Sequence, residues 1–130
     1  VTPIKLGMSA LSAFVNQFIR FFQDLSETFP EEKDIKMALE AIEGAKKINP
    51  RLVLDLFYEH VFVDLAESIR NEDVEHIIEV GKRKISTQFN EIMPALSIFQ
   101  NHWPTLDQGN RDAIFKYLKV LVVLCEKARN

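Results

Sequence analysis

The chain has 130 residues, enough to close around one hydrophobic core and too few for two. Hydrophobic residues make up 47%, which excludes a disordered chain, and 16 basic against 19 acidic residues leave a net charge of −3, which argues against a surface built for nucleic acid or anionic membrane. The single cysteine excludes an internal disulfide framework.

Residues 1–7 carry no periodicity and read as a leader ahead of Met8, with one helical domain over residues 8–130. From Ser9, Leu11, Phe14, Val15, Phe18, Phe21, Phe22, Leu25 and Phe29 recur mostly at helical steps, which predicts an amphipathic helix. Pro30 stops it, because the residue before a proline is pushed out of the α region. A second helix opens with Glu31, Glu32 and Asp34 and closes with Lys46 and Lys47, the charge order a helix dipole favours; its inner stripe is Ile35, Ala38, Leu39, Ile42 and Ala45. Asn49 and Pro50 then supply a cap and a first helical residue. The helix they start, to about Arg70, is apolar on nearly every side, through Leu52, Val53, Leu54, Leu56, Phe57, Val61, Phe62, Val63, Leu65 and Ile69. A helix apolar all round needs neighbours all round, so it is placed at the centre.

Asn71 is expected to cap the next helix, with Val74, Ile77, Ile78, Gly81 and Ile85 facing inward. The same phase continues through Phe89, Ile92, Leu96, Phe99 and Trp103, but Pro94 would clash with the carbonyl of Asn90, so two helices are expected there. Pro104, Asp107, Gly109 and Asn110 form a break. The last helix, about 110–129, repeats the wide apolar pattern with Ile114, Phe115, Leu118, Val120, Leu121, Val122, Leu124 and Cys125. No alternating, turn-bounded segment predicts a strand. The expected fold is an all-α compact bundle of five or six helices, with the 50–70 and 110–129 helices central. No apolar run reaches the roughly 18 residues of a membrane span and no signal-peptide pattern is present, so an intracellular chain without membrane contact is expected.

Chemistry-bearing motifs are sparse. The sequence has no glycine-rich phosphate cradle, no cysteine pair and no His-Glu-x-x-His, and no cofactor is expected. His60 and Asp64 stand one helical turn apart, a spacing that can ligate a divalent metal, and Glu72 and His76 repeat it. A small metal-binding or enzymatic helical protein using His60, Asp64 and His76 is therefore one alternative, although a dinuclear site would need a carboxylate where Phe57 stands. Lys82, Arg83 and Lys84 form the best basic patch, and a second alternative is phosphate or nucleic-acid contact through them; no aromatics interleave with them for base stacking. His102 is expected to cap or compensate a helix end, and Cys125 to be a small buried hydrophobe.

The aromatic count of 10 Phe against 2 Tyr and 1 Trp favours a dry interior, since Phe carries no polar atom to satisfy. What is left over is apolar surface on the 50–70 and 110–129 helices. They can pack on each other, or leave part of a face open as a partner groove or dimer interface. The expected function is a non-enzymatic protein-interaction module that binds a protein partner or itself as a homodimer, with Trp103, Phe62 and Tyr58 as contact residues.

Trp103, Asn110-Arg111, the run Ile114-Phe115-Lys116-Tyr117-Leu118 and the segment Leu121 to Leu124 resemble the tail of small all-helical proteins encoded by large DNA viruses of algae and protists. In those proteins a Trp, a short polar turn and an aromatic-Lys-Tyr-Leu helix recur, and Phe115 stands where a Trp is expected. The resemblance implies a viral origin, a place in the host cytoplasm and a host-interaction or virion-associated role.

Overall fold

Helix α1 spans Pro3–Thr28 and so takes in residues 3–7 ahead of Met8. The computed structural model describes residues 3–87 and 93–129. Pro30 ends α1 as expected. Phe14, Phe18 and Phe22 are fully buried, and their rings form a chain with Phe57: centroids are 5.1 Å apart for Phe18 and Phe22 and 5.2 Å for Phe14 and Phe57. Each such side chain contributes about 1.5–3 kcal/mol on leaving water.

Helix α2 runs Lys33–Ile48, with Asp34 in its first turn and Lys46 and Lys47 in its last. Asn49 caps the following helix, its side-chain oxygen accepting from the Arg51 amide at 3.0 Å, and Pro50 is the first helical residue. Residues 50–70 form one continuous right-handed path in three parts: α3 (Pro50–Phe57), a π turn (Tyr58–Phe62) and α4 (Val63–Arg70). The π turn accounts for the apolar-all-round pattern. The buried residues Val53, Leu54 and Phe57 are followed by Val61, Leu65, Ala66 and Ile69, and two consecutive steps of four carry the stripe through the wider turn. On a uniform α wheel the residues after the turn would be rotated by about one position, roughly 100°. Two stripes out of phase then look like one helix apolar on every side, while Leu52 and Val63 in fact face outward.

Asn71 ends α4, its amide bonding to the Glu67 carbonyl, and does not cap the next helix. Glu72 takes the left-handed conformation (φ 53°), and Asp73 supplies the cap, its Oδ1 accepting from the His76 amide at 3.2 Å. Helices α5 (Val74–Thr87) and α6 (Met93–Asn101) pack on each other. Gly81 lies at their approach, where a Cβ would stand 3.7 Å from Leu96 Cβ. The shared apolar phase is therefore divided between two helices, and Pro94 sits in the first turn of α6, where its missing donor costs little. Residues 88–92, with Asn90, Phe89 and Ile92, lie outside the described residues, as does the side chain of Ile85.

A short 3-10 turn (Trp103–Thr105) leads to α7 (Gln108–Arg129), which starts ahead of Asn110 because Asp107 caps it: Asp107 Oδ1 accepts from the Asn110 amide at 2.8 Å. With 50–70 counted once, the described residues form six helices and no strand, an all-α bundle. The two central helices share the centre with α1, which packs against α2, α3 and α7. Among the described residues no buried side-chain nitrogen or oxygen lacks a hydrogen-bond partner, in keeping with the dry interior, and no helix is long and apolar enough to cross a membrane.

Candidate functional site

The π turn brings Tyr58 and Phe62 together, one ring stacked on the other at 5.4 Å. Both rings pack against the core, and a guanidinium group lies against each. The Arg129 guanidinium lies 3.5 Å from the Tyr58 centroid and Arg70 lies 5.9 Å from that of Phe62. Arg129 also reaches Asp55 at 3.6 Å, and Arg70 pairs with Glu126 and Glu67. This ladder of two rings between two arginines fastens the end of α7 to the 50–70 helix, a use of cation–π contact that is internal to the fold.

Trp103 does not join them. It is 8% exposed, stacked on Phe99 at 4.8 Å, edge-on to Phe115 at 5.4 Å and covered by the Arg111 guanidinium at 5.4 Å. Arg111 also donates to the Trp103 carbonyl from Nη2 at 2.8 Å. The ring closes the core at the start of α7 and does not project as an anchor. Ile114, Phe115, Leu118, Leu121 and Val122 of the following helix are buried as well, so the apolar pattern they share with Trp103 is one of packing.

The triplet Lys82, Arg83 and Lys84 is divided. Lys82 and Arg83 are exposed, whereas Lys84 is 8% exposed and places its Nζ 2.7 Å from Asp64 Oδ2. That contact removes Lys84 from any phosphate surface, and it occupies the carboxylate that the metal reading needed. His60 is half-buried, His76 is exposed, and among the described residues no three His, Cys, Asp or Glu side chains converge to hold a metal. His102 makes an interhelical contact in place of a cap: its Nε2 lies 2.8 Å from Glu32 Oε1 and its ring packs 4.5 Å from Phe29. Cys125 is fully buried, and burial pushes its thiol up to about 11, well short of a thiolate at neutral pH.

A cleft of about 180 Å³ opens between the end of α1 and the start of α7, lined by residues that include Phe21, Asp24, Thr28, Asn110 and Tyr117. The Tyr117 hydroxyl donates to Asp24 Oδ2, and burial first, then that hydrogen bond and the Asp24 charge, push the phenol up to about 12. The two groups satisfy each other, so the pair offers neither a free base nor an easily ionised acid.

The least covered apolar surface lies elsewhere. Among the described residues five large apolar side chains are exposed, Met37 at 65%, Ile48 at 81%, Leu52 at 46%, Val63 at 61% and Val123 at 50%, and the first three lie on the neighbouring helices α2 and α3. At about 3.6 residues per turn, Met37, Ala41, Gly44 and Ile48 fall on one strip of α2, opposite the buried Ile35 and Ile42. Leu52 and Leu56 of α3 border the strip across a groove of about 170 Å³ that includes Ala41 and Ala45 in its lining. The sequence holds a signal for this face, since Met37, Ala41, Gly44 and Ile48 recur at helical spacing. It is a second stripe on a helix whose first stripe already satisfies the amphipathic pattern.

Compared with known proteins, the chain matches no family model, no curated protein and no solved structure.

Proposed function

We propose that this chain is a protein-interaction module that pairs with a second copy of itself, through the outer face of α2 and the start of α3 and not through Tyr58, Phe62 and Trp103. The observation that carries the reading is a set of three large exposed apolar side chains, Met37 and Ile48 on the outer strip of α2 and Leu52 in the lining of the adjoining α2/α3 groove. Isolated exposed apolar residues are ordinary, whereas a contiguous patch with a polar rim marks an interaction surface. The rim favours self-pairing. Beside the strip α2 carries Lys36, Glu40, Glu43 and Lys47, all exposed, so the border holds both signs in near balance and is complementary to another copy of itself.

Sedimentation equilibrium over a concentration series tests the reading. The parent chain is expected to shift from monomer toward dimer as concentration rises, and Met37→Glu with Ile48→Glu to remain monomeric with unchanged helicity, because exposed substitutions change stability by only about 0.5 kcal/mol. A parent that stays monomeric at every concentration overturns it.

A further inference from the structure

We infer that the two copies cross α2 against α2, antiparallel, about a two-fold axis that passes between Glu43 and Gly44; the inference rests on the self-association proposed above and gives it a register. Glu40 and Lys47 lie on the same flank of the apolar strip, both exposed, and no ion pair among the described residues engages either one. An axis midway between them sets Glu40 of each copy opposite Lys47 of the other, twice over by symmetry. A parallel pair would leave these flanks on opposite sides of the interface.

Two further features fall on the same axis. Met37 of one copy comes opposite the span between Ile48 and Leu52 of the other, at the mouth of the groove that Leu52 and Leu56 border. The largest exposed side chain at one end of the strip thus meets the pair at the other end. Gly44 comes to the crossing, where the absence of a side chain lets two helix backbones approach. Within one copy nothing explains Gly44: a Cβ built there meets no described atom within 4 Å, and glycine is among the least favourable residues in a helix interior. Opposite charges, large apolar ends and a small centre coincide in one arrangement, and the charges select it over its neighbours.

Charge exchange tests the register. Glu40→Lys alone and Lys47→Glu alone each replace two opposite-charge contacts per dimer by two like-charge contacts, and each is expected to weaken self-association about tenfold. Mixing the two single variants restores both opposite-charge contacts in a heterodimer, as does the double variant with itself; both are expected to associate within about threefold of the parent. Gly44→Leu should fold at least as stably as the parent yet self-associate about tenfold more weakly. If the parent dimerises while the single variants and Gly44→Leu dimerise equally well, the register is overturned and the self-association reading stands. If the parent does not dimerise at all, both fall.

Discussion

Lys84 lies in the helical phase of the buried Ile77 and Val80, and its ammonium reaches the edge of the core to meet Asp64 at 2.7 Å. The pair ties α5 to α4, and its two ends differ in exposure: the lysine side chain keeps 10% of its accessible surface and the aspartate 45%. Losing the aspartate is therefore the costlier change. Asp64→Ala strands a mostly buried ammonium without its acceptor and is expected to cost about 1–3 kcal/mol. Lys84→Met keeps the volume, leaves Asp64 facing water and is expected to cost less than about 1 kcal/mol. Urea unfolding at constant m compares them, and equal losses would place the value of the contact in its charge and not in the burial of Lys84.

The π turn sets the phase of everything after it in the 50–70 helix. The π turn already absorbs one residue beyond an α-helix, so an alanine inserted after Val63, outside the turn, is expected to rotate Leu65, Ala66 and Ile69 by roughly 100° away from the core. At about 1.5–3 kcal/mol for each large side chain displaced, the loss is several kcal/mol and approaches the whole stability of a small domain. Deleting Glu59, which is exposed within the turn, removes that extra residue and is expected to restore an α-helix in the same phase at a loss of about 1 kcal/mol or less. Thermal melts followed by circular dichroism separate the two. A deletion that melts as low as the insertion would mean the turn does not absorb an extra residue.

Cys125 is the one thiol, buried at the α7 face of the core. Desolvation, the largest cause, raises its pKa to about 11, while the Arg129 charge acts in the other direction. Labelling by a neutral thiol reagent at pH 8 is expected to be at least about a hundredfold slower in the native chain than in urea, since the buried sulfur reacts only through opening of the fold. Cys125→Ser, which brings a hydroxyl into the same site, is expected to cost about 1–3 kcal/mol, against a smaller loss for Cys125→Ala.

The elements were legible where one local rule dominates. Pro30 ending α1, Asn49 and Pro50 starting α3, and Pro94 dividing the α5 and α6 phase each follow from a backbone restriction that tertiary contacts do not override. The caps at Asp73 and Asp107 escaped because Asn71 and Asn110 offer the same side-chain chemistry a few residues away, and the choice between them depends on where the chain must turn. The π turn left a trace, the successive steps of four from Phe57 through Val61 to Leu65, but a fixed helical period spreads that trace over the whole wheel. Lys84 was legible only in principle: it stands in phase with Ile77, yet its charge assigns it to the surface unless Asp64 is known to lie within reach. For the same reason the outer strip of α2 was hidden. Met37, Ala41, Gly44 and Ile48 matter because nothing among the described residues covers them, and coverage is a property of the assembled bundle.

Tyr117 gives the chain a stability term at alkaline pH whose sign follows from its surroundings. Its phenol ionises at about 12 in the folded state against 10.0 for an unperturbed tyrosine, raised first by burial and then by the hydrogen bond and charge of Asp24. The folded state holds the proton more tightly, so the contribution is fully present below pH 10 and is lost as pH rises from about 10 to about 12, where the unfolded chain gives up its proton first. Between those values the parent is expected to lose stability more steeply with pH than Tyr117→Phe, and the difference between the two unfolding curves isolates this residue from the lysines titrating in the same range. Asp24→Asn removes the charge and keeps an acceptor, so ultraviolet titration should find the Tyr117 phenol lowered from about 12 yet still above 10.0, because burial is the largest cause and is unchanged. A return to the unperturbed value in that variant would assign the shift to Asp24 in place of burial.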